Sequence, residues 1–392
     1  MPAAPPPVNR PLTLVPFHVN AFTWNFGLAM TFLLVPLFAH ELGMSGVEIG
    51  SLISLPVLFQ LGLNLLGGAY ADRIGAKLTS AFASLCTVAA AITFATSASF
   101  AGLLAGQFLM IVSRAAFWPS NWSLASELPG DRSRNMGWLN AITNAGQIAG
   151  IAATGMVIAQ FGFRAGFWVM AAICLASLFA SLLVAHRPVE HAARPALFST
   201  YRALLRRRSI YFAMSCSCIS ALPFSLSASF YPILLIEQGF ASDAAGWLLS
   251  LRAVGSIVAG IAIAGLVRRA TDPMPPFLSA ILSAVSVGLA ALFSHPLWVG
   301  LCLVGLGIGA GVMMVYFQVV IIAISPPGQR GSAMALGGLG FGLSNFFTPV
   351  IAGALTDIYG IHTAFYALGA IAFVSGLCLM PMHRWAFGNQ PR

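Results

Sequence analysis

The chain has 392 residues, 58% hydrophobic and only 7% charged, with a formal net charge of +9. A soluble domain carries about 25% charged residues. This composition therefore excludes a cytosolic enzyme, a nucleic-acid binder and a disordered chain, and leaves an integral membrane protein.

A spanning helix needs ~20 mostly apolar residues, and the stretches without Asp, Glu, Lys or Arg predict twelve. A Pro-rich start, Met1 to Leu14, carries one charge, Arg10. The apolar run after it is too long for a signal-peptide core, so no cleavage is expected. Residues 11–40 form the first span and 49–71 the second. Residues 78–113 hold the third and the first half of the fourth, which continues through Arg114 to about Ser126. Residues 135–163 and 165–186 are the fifth and sixth, and 209–236 the seventh. The eighth runs from Ala244 to Val267 and contains Arg252. The uncharged stretch 273–329 is split by His295-Pro296 into the ninth and tenth; 331–356 and 358–383 complete the set.

Twelve spans place both termini on one side, and basic residues choose it. With the N-terminus in the cytoplasm, sixteen of the nineteen Lys and Arg residues fall inside. Only Arg164 falls outside, and Arg114 and Arg252 lie within spans. The expectation is a multi-pass protein of the bacterial inner membrane with both termini cytoplasmic. The arginine-rich segment 187–208 is expected to link an N-terminal bundle, 1–186, to a C-terminal bundle, 209–392.

The six cysteines all lie in apolar stretches, without metal-ligand spacing, and read as small buried hydrophobes. The two halves repeat. Shifted by 198 residues, Pro129-Gly130-Asp131-Arg132 falls on Pro327-Gly328-Gln329-Arg330. In the same register Gly155 falls on Gly353, and Phe161-Gly162 on Tyr359-Gly360. Spans two and eight align with a shift of 196. Composition alone would scatter Ala, Gly and Leu matches and would not hold one register over three spans. Two six-helix halves of this kind are the architecture of facilitator-type carriers, with a site near midplane between them.

The stretch Gly68-Ala69-Tyr70-Ala71-Asp72-Arg73-Ile74-Gly75-Ala76-Lys77 resembles the signature loop of the major facilitator superfamily. The resemblance covers the whole chain. It implies an all-α membrane fold of twelve helices in two pseudo-symmetric bundles. It also implies a cytoplasmic gate built from Asp72, Arg73 and Lys77 with Gly68 and Gly75, in which Glu127 or Asp131 pairs with Arg73. An ordinary solvated turn is the alternative. In the second half Arg268-Arg269 replaces the Asp-Arg pair, so the gate would be one-sided. In span five, Gly137, Gly146, Gly150 and Gly155 resemble the glycine-proline motif of the family's antiporters, but Ile151 stands where that motif has Pro and Pro349 takes the equivalent place in the second half. Export by antiport and simple helix packing both fit this pattern.

Arginine at a helix centre costs ~2.5–3.5 kcal/mol on insertion scales, so Arg114 and Arg252 are candidate substrate ligands, with a structural role as the alternative. All ten acids lie at span ends. Two intramembrane cations without a buried acid suit a carboxylate or phosphate, which guanidinium binds bidentately; a neutral polar solute stays open. Asn20, Trp24 and Asn25 in span one, Trp118 in span four, Tyr316 and Gln318 in span ten and Asn345 in span eleven complete the candidate cavity. Each could equally be glue between helices.

The function expected is secondary transport of a small organic anion by alternating access, with proton-coupled export as an option. The partners expected are the solute, the bilayer and a coupling proton, with the protein a monomer. No cofactor or metal is called for. A multidrug or lipid and amphiphile exporter on the same fold is the first alternative. A membrane-embedded enzyme is the second, and it lacks an acid or a metal-binding cluster at depth.

Overall fold

The computed structural model describes residues 10–128, 132–184, 202–259, 271–325 and 330–388. Among them the helices are α1 (Arg10–Glu41), α2 (Gly46–Ile74), α3 (Ala76–Thr96), α4 (Phe100–Glu127), α5 (Arg132–Leu183) and α6 (Arg208–Ser227), followed by α7 (Tyr231–Glu237), α8 (Ser242–Val258), α9 (Met274–Ala290), α10 (Pro296–Ile324), α11 (Arg330–Tyr359) and α12 (Ile361–Phe387). No strand occurs among the described residues. Helix is what a bilayer dictates, because lipid offers no partners to backbone N–H and C=O groups.

Among the described residues eight helices are long and apolar enough to cross a membrane. At 52 residues α5 is long enough to cross twice, and Gly162 (φ 78°) turns the chain inside it. Counting α5 twice, and α6 with α7 as one broken span, is consistent with the twelve expected. The bundles are built inside out. On α3, Ser80, Ser84 and Thr87 are buried while Leu78, Phe82 and Leu85 are exposed. Small polar groups let helices approach and bond, and large apolar ones face lipid.

Two expectations change. Span seven is interrupted at residues 228–230, between α6 and α7. Pro232, in the first turn of α7, has no N–H to give Ala228 O, so the helix loosens there. The stretch 68–77 is not a loop. α2 runs to Ile74, which puts Asp72 and Arg73 in its last turn, and the chain reverses at Gly75 (φ 93°).

The repeat appears in the turns. Gly43 (φ 75°) and Gly239 (φ 88°) match at a shift of 196, and Gly162 (φ 78°) and Gly360 (φ 79°) at 198. It appears again where the halves meet. α2 lies on α11, where a Cβ on Gly46 would sit 2.6 Å from Gly353 O and one on Gly50 would strike Pro349 O. α8 lies on α5, where a Cβ on Gly246 would sit 2.9 Å from Ile151 O and one on Gly155 would strike Ser242 O. Each contact is the repeat image of another: 46 and 353 of 242 and 155, 50 and 349 of 246 and 151. The seam is therefore pseudo-two-fold. The hydrogen bonds that cross it among the described residues are Gly46 N and Val47 N to the Asp357 carboxylate, at 2.6 and 2.9 Å, and Ser250 Oγ to Ile148 O, at 3.3 Å. They lie between the middle of the molecule and the end opposite the chain termini.

Candidate functional site

The site lies where the seam reaches the middle of the bundle. Ser250 of α8 crosses to Ile148 of α5, and two residues on is Arg252. The backbone of Arg252 is held against α10: Ser256 Oγ donates to Arg252 O and to Gly307 O at 3.3 and 3.0 Å, and a Cβ on Gly307 would strike Arg252 O. The guanidinium is therefore carried on a rigid packed helix. Arg252 is 5% exposed, and its Nε is buried with no hydrogen-bond partner among the described residues. Its central carbon stands 5.6 Å from the centre of the Phe224 ring of α6. Phe224 meets Phe32 of α1 edge-on at 5.2 Å, across the two halves, and Phe341 of α11 at 5.8 Å. The result is an aromatic collar with one cation at its edge.

Around α4 a second aromatic group forms. Trp24 stacks on Phe117 with ring centroids 3.7 Å apart, and Trp118 meets Trp24 edge-on at 6.1 Å and Trp122 at 5.8 Å. Arg114 is on the same row of α4 as Trp118 and Trp122, at spacings of four, and is half-buried. Its Nε also lacks a partner among the described residues.

The other candidates divide. Asn20 is buried, donating through Nδ2 to Ser84 Oγ (3.2 Å), Ser177 O (3.0 Å) and Ser177 Oγ (3.0 Å), and accepting from Ser80 Oγ at 3.1 Å. Trp24 is fully buried and donates Nε1–H to Ser113 Oγ at 2.9 Å. These two side chains tie α1 to α3, α4 and α5 within the first bundle, with their polar atoms already used. Tyr316 is buried in the core of the second bundle, edge-on to Phe212 at 6.2 Å. Asn25 gives Nδ2–H to Ala21 O at 2.8 Å and accepts from Gln147 Nε2 at 3.3 Å. Asn345 is buried and turns back to Phe341 O at 2.9 Å, which ties it to the collar. Gln318 is exposed.

Of the expected gate, Lys77 is half-buried at the start of α3 and Gly75 makes the preceding turn. The side chains of Gly68, Asp72, Arg73 and Glu127, the residue Asp131, and Arg268-Arg269 lie outside the described residues, as does 185–201 of the linker. Gly146 and Gly150, part of the antiporter-like spacing, pack α5 onto the carbonyls of Phe22 and Phe26 on α1. That is the packing role.

Sequence reasoning missed Phe224, Phe32 and Asp357. Twenty-nine phenylalanines occur in the chain, and nothing in their spacing marks two that meet across the halves. Asp357 carried a signal in hindsight: it is an acid whose repeat mate is Ala159. Among the described residues no group of three His, Cys, Asp or Glu residues could hold a metal.

Known proteins bear on this site. The model of the Major Facilitator Superfamily matches residues 18–222 and 213–387. The quinolone resistance protein NorA of Staphylococcus aureus (strain MSSA476) is 22% identical over 380 residues, covering 94% of this chain and 96% of that protein. The multidrug resistance protein MdtH of Aeromonas hydrophila is 24% identical over 332 residues, covering 82% and 81%. Among solved structures, a bacterial homolog to the human lysosomal transporter Spinster, inward-facing and unoccupied, superposes with a TM-score of 0.83 at 15% identity, covering 98% of this chain and 100% of that one. The nucleoside transporter NupG gives 0.76 at 15% identity, covering 95% and 99%.

Proposed function

The chain belongs to the major facilitator superfamily, and on that premise we propose that it is a secondary exporter of amphiphilic organic compounds that works by alternating access. Its transporter class and membrane embedding follow from the family. The cargo and direction are the proposal, and they take the place of the small-anion reading as the main one. The names of the similar proteins, quinolone resistance and multidrug resistance, support efflux. The observation that carries the mechanism is the seam. Two pairs of helices, α2 with α11 and α8 with α5, meet backbone to backbone at the end opposite the termini. Such contacts are all-or-none, so the halves must part there for cargo to leave.

The basic residues place the termini inside, which makes the closed end external and this state the one that loads from the cytoplasm or the inner leaflet. The bundles divide at 187–208, and one chain supplies both halves of the site, so the working unit is a monomer. Asp72, Arg73 and Lys77, with Gly68, Gly75 and Glu127, form the gate at the inner end. A coupling proton remains the proposed driving partner.

The test is accumulation of fluorescent cationic, neutral and anionic amphiphiles in cells expressing the chain. Expression lowers accumulation, and Asp72→Asn slows efflux about tenfold, the effect of ~1.4 kcal/mol on a gating step. Equal accumulation with and without the protein across the panel sinks the exporter reading. Unchanged efflux in Asp72→Asn sinks the gate alone.

A further inference from the structure

We infer that Arg252 is the head-group site for an anionic amphiphile, a compound with an apolar or aromatic body and one carboxylate or phosphate. This rests on the exporter reading and adds the charge of the cargo.

Three observations meet at this side chain. The first is an unmet need. Arg252 is 5% exposed, its Nε has no partner, and no acid or carbonyl among the described residues accepts from its guanidinium. A cation desolvated to this degree requires acceptors, and structural arginines within membranes find them in acids or backbone carbonyls. Here the acceptor set is left to the ligand. An oxyanion fits the need best, because two of its oxygens match the planar fork of N–H groups.

The second observation is what surrounds the cation. The guanidinium faces the Phe224 ring at 5.6 Å, and Phe224 touches Phe32 and Phe341. The cation lies over an aromatic ring, which accepts no conventional hydrogen bond, so its N–H groups remain for a ligand. A small, fully hydrated anion would lose its water here and find only one cation and a ring of hydrocarbon. An amphiphile offsets that loss by burying its own apolar body against the collar.

The third is position. Phe224 and Phe32 belong to opposite halves, and Arg252 lies two residues from the bond between Ser250 and Ile148 that joins them. A ligand held there touches both moving bodies, so its binding is felt by the conformational equilibrium.

The experiment is equilibrium dialysis of the purified full chain in lipid nanodiscs against four probes that share one body: 2-naphthoate, 2-naphthyl phosphate, 2-naphthylmethylammonium and 2-naphthalenemethanol. Acetate and inorganic phosphate serve as competitors. The two naphthyl anions are expected to bind about tenfold more tightly than the alcohol, the gain of one charge-assisted hydrogen-bonded pair, and the ammonium more weakly than the alcohol. Arg252→Gln brings both anions down to the level of the alcohol, and binding of the alcohol to this variant reports that the collar is intact. Arg252→Lys keeps the charge without the fork and retains part of the preference. Anions that bind no better than the alcohol in the wild-type protein overturn the inference, and that arm needs no variant to fold. So does an anion preference that survives Arg252→Gln. Displacement of the naphthyl anions by acetate or phosphate at equal concentration overturns the amphiphile and leaves a site for bare anions. If the alcohol is bound and exported while the anions gain nothing, the exporter reading stands and this inference alone fails. If none of the four binds, this inference fails, and the accumulation test alone decides the exporter reading.

Discussion

Asn20 shows how a polar residue in a membrane can have its bonding met within its own bundle. Both ends of its amide are used inside the first bundle, on Ser80, Ser84 and Ser177. Truncation takes the acceptor from the Ser80 hydroxyl and leaves Ser84 and Ser177 only each other, in a dry interior where an unmet polar group costs about 1–3 kcal/mol. Asn20→Ala is therefore expected to lower the midpoint of thermal unfolding in detergent while leaving the order of preference among substrates unchanged. A changed preference at unchanged stability would return Asn20 to the binding site. Trp24 belongs with it, stacked on Phe117 and bonded to Ser113. Arg252 is the opposite case: equally buried, but with its needs unmet among the described residues. Burial does not separate ligand contacts from structural ties. The state of the hydrogen-bonding groups does.

At the scale of helices, α2 and α11 meet at the end opposite the termini, the proposed external gate. Gly46 and Gly353 are in reciprocal contact, each occupying the space where the other's Cβ would stand. Gly353→Val forces α2 and α11 apart and should trap the carrier open at that end, with transport lost and expression kept. The measurement is labelling of Ile49→Cys, a buried position on α2, by a membrane-impermeant maleimide in a background free of native cysteines. Fast labelling with Gly353→Val and slow labelling without it is the expected result; equal rates would mean that the seam does not control access. Asp357 acts on the same joint. Its carboxylate caps the first N–H groups of α2, where the helix dipole favours negative charge. Asp357 is exposed, so Asp357→Asn should weaken closure only by about 1 kcal/mol and raise the labelling rate several-fold. No acid stands at the matching place on α5, where Ala159 is found. This acid contact is therefore one-sided, as the Asp72-Arg73 pair is in the sequence, where Arg268-Arg269 stands in the second half.

The whole molecule is two bundles that lean together at one end. The orientation proposed for it rests on charge: with the termini inside, sixteen cations fall on the inner side and one on the outer. A reporter fused at residue 195 is therefore expected to be active only as a cytoplasmic protein. Activity of a periplasmic-only reporter at that site would invert the molecule, and the closed seam would then face the cytoplasm. In that case import, rather than export, would begin from this state.

Architecture was legible in the sequence because membrane folding is decided by quantities that add along the chain. Charge-free stretches mark spans, arginine counts mark sides, and a register of 198 held from Pro129 to Phe167 marks the repeat. The same register names the seam partners once one contact is known, since Ile151 and Pro349 take the same part against Gly246 and Gly50. The sequence did not separate Asn20, Trp24 and Tyr316 from Arg252. All four are polar or amphipathic groups in apolar spans, and linear spacing does not say which have found partners. Nor did it mark Phe224, Phe32 or the break at residues 228–230. Partners such as Ser177 for Asn20 or Phe32 for Phe224 lie more than 150 residues away in the chain. They meet only when the bundles close, so only the tertiary structure decides whether a buried polar group is satisfied or left for a ligand.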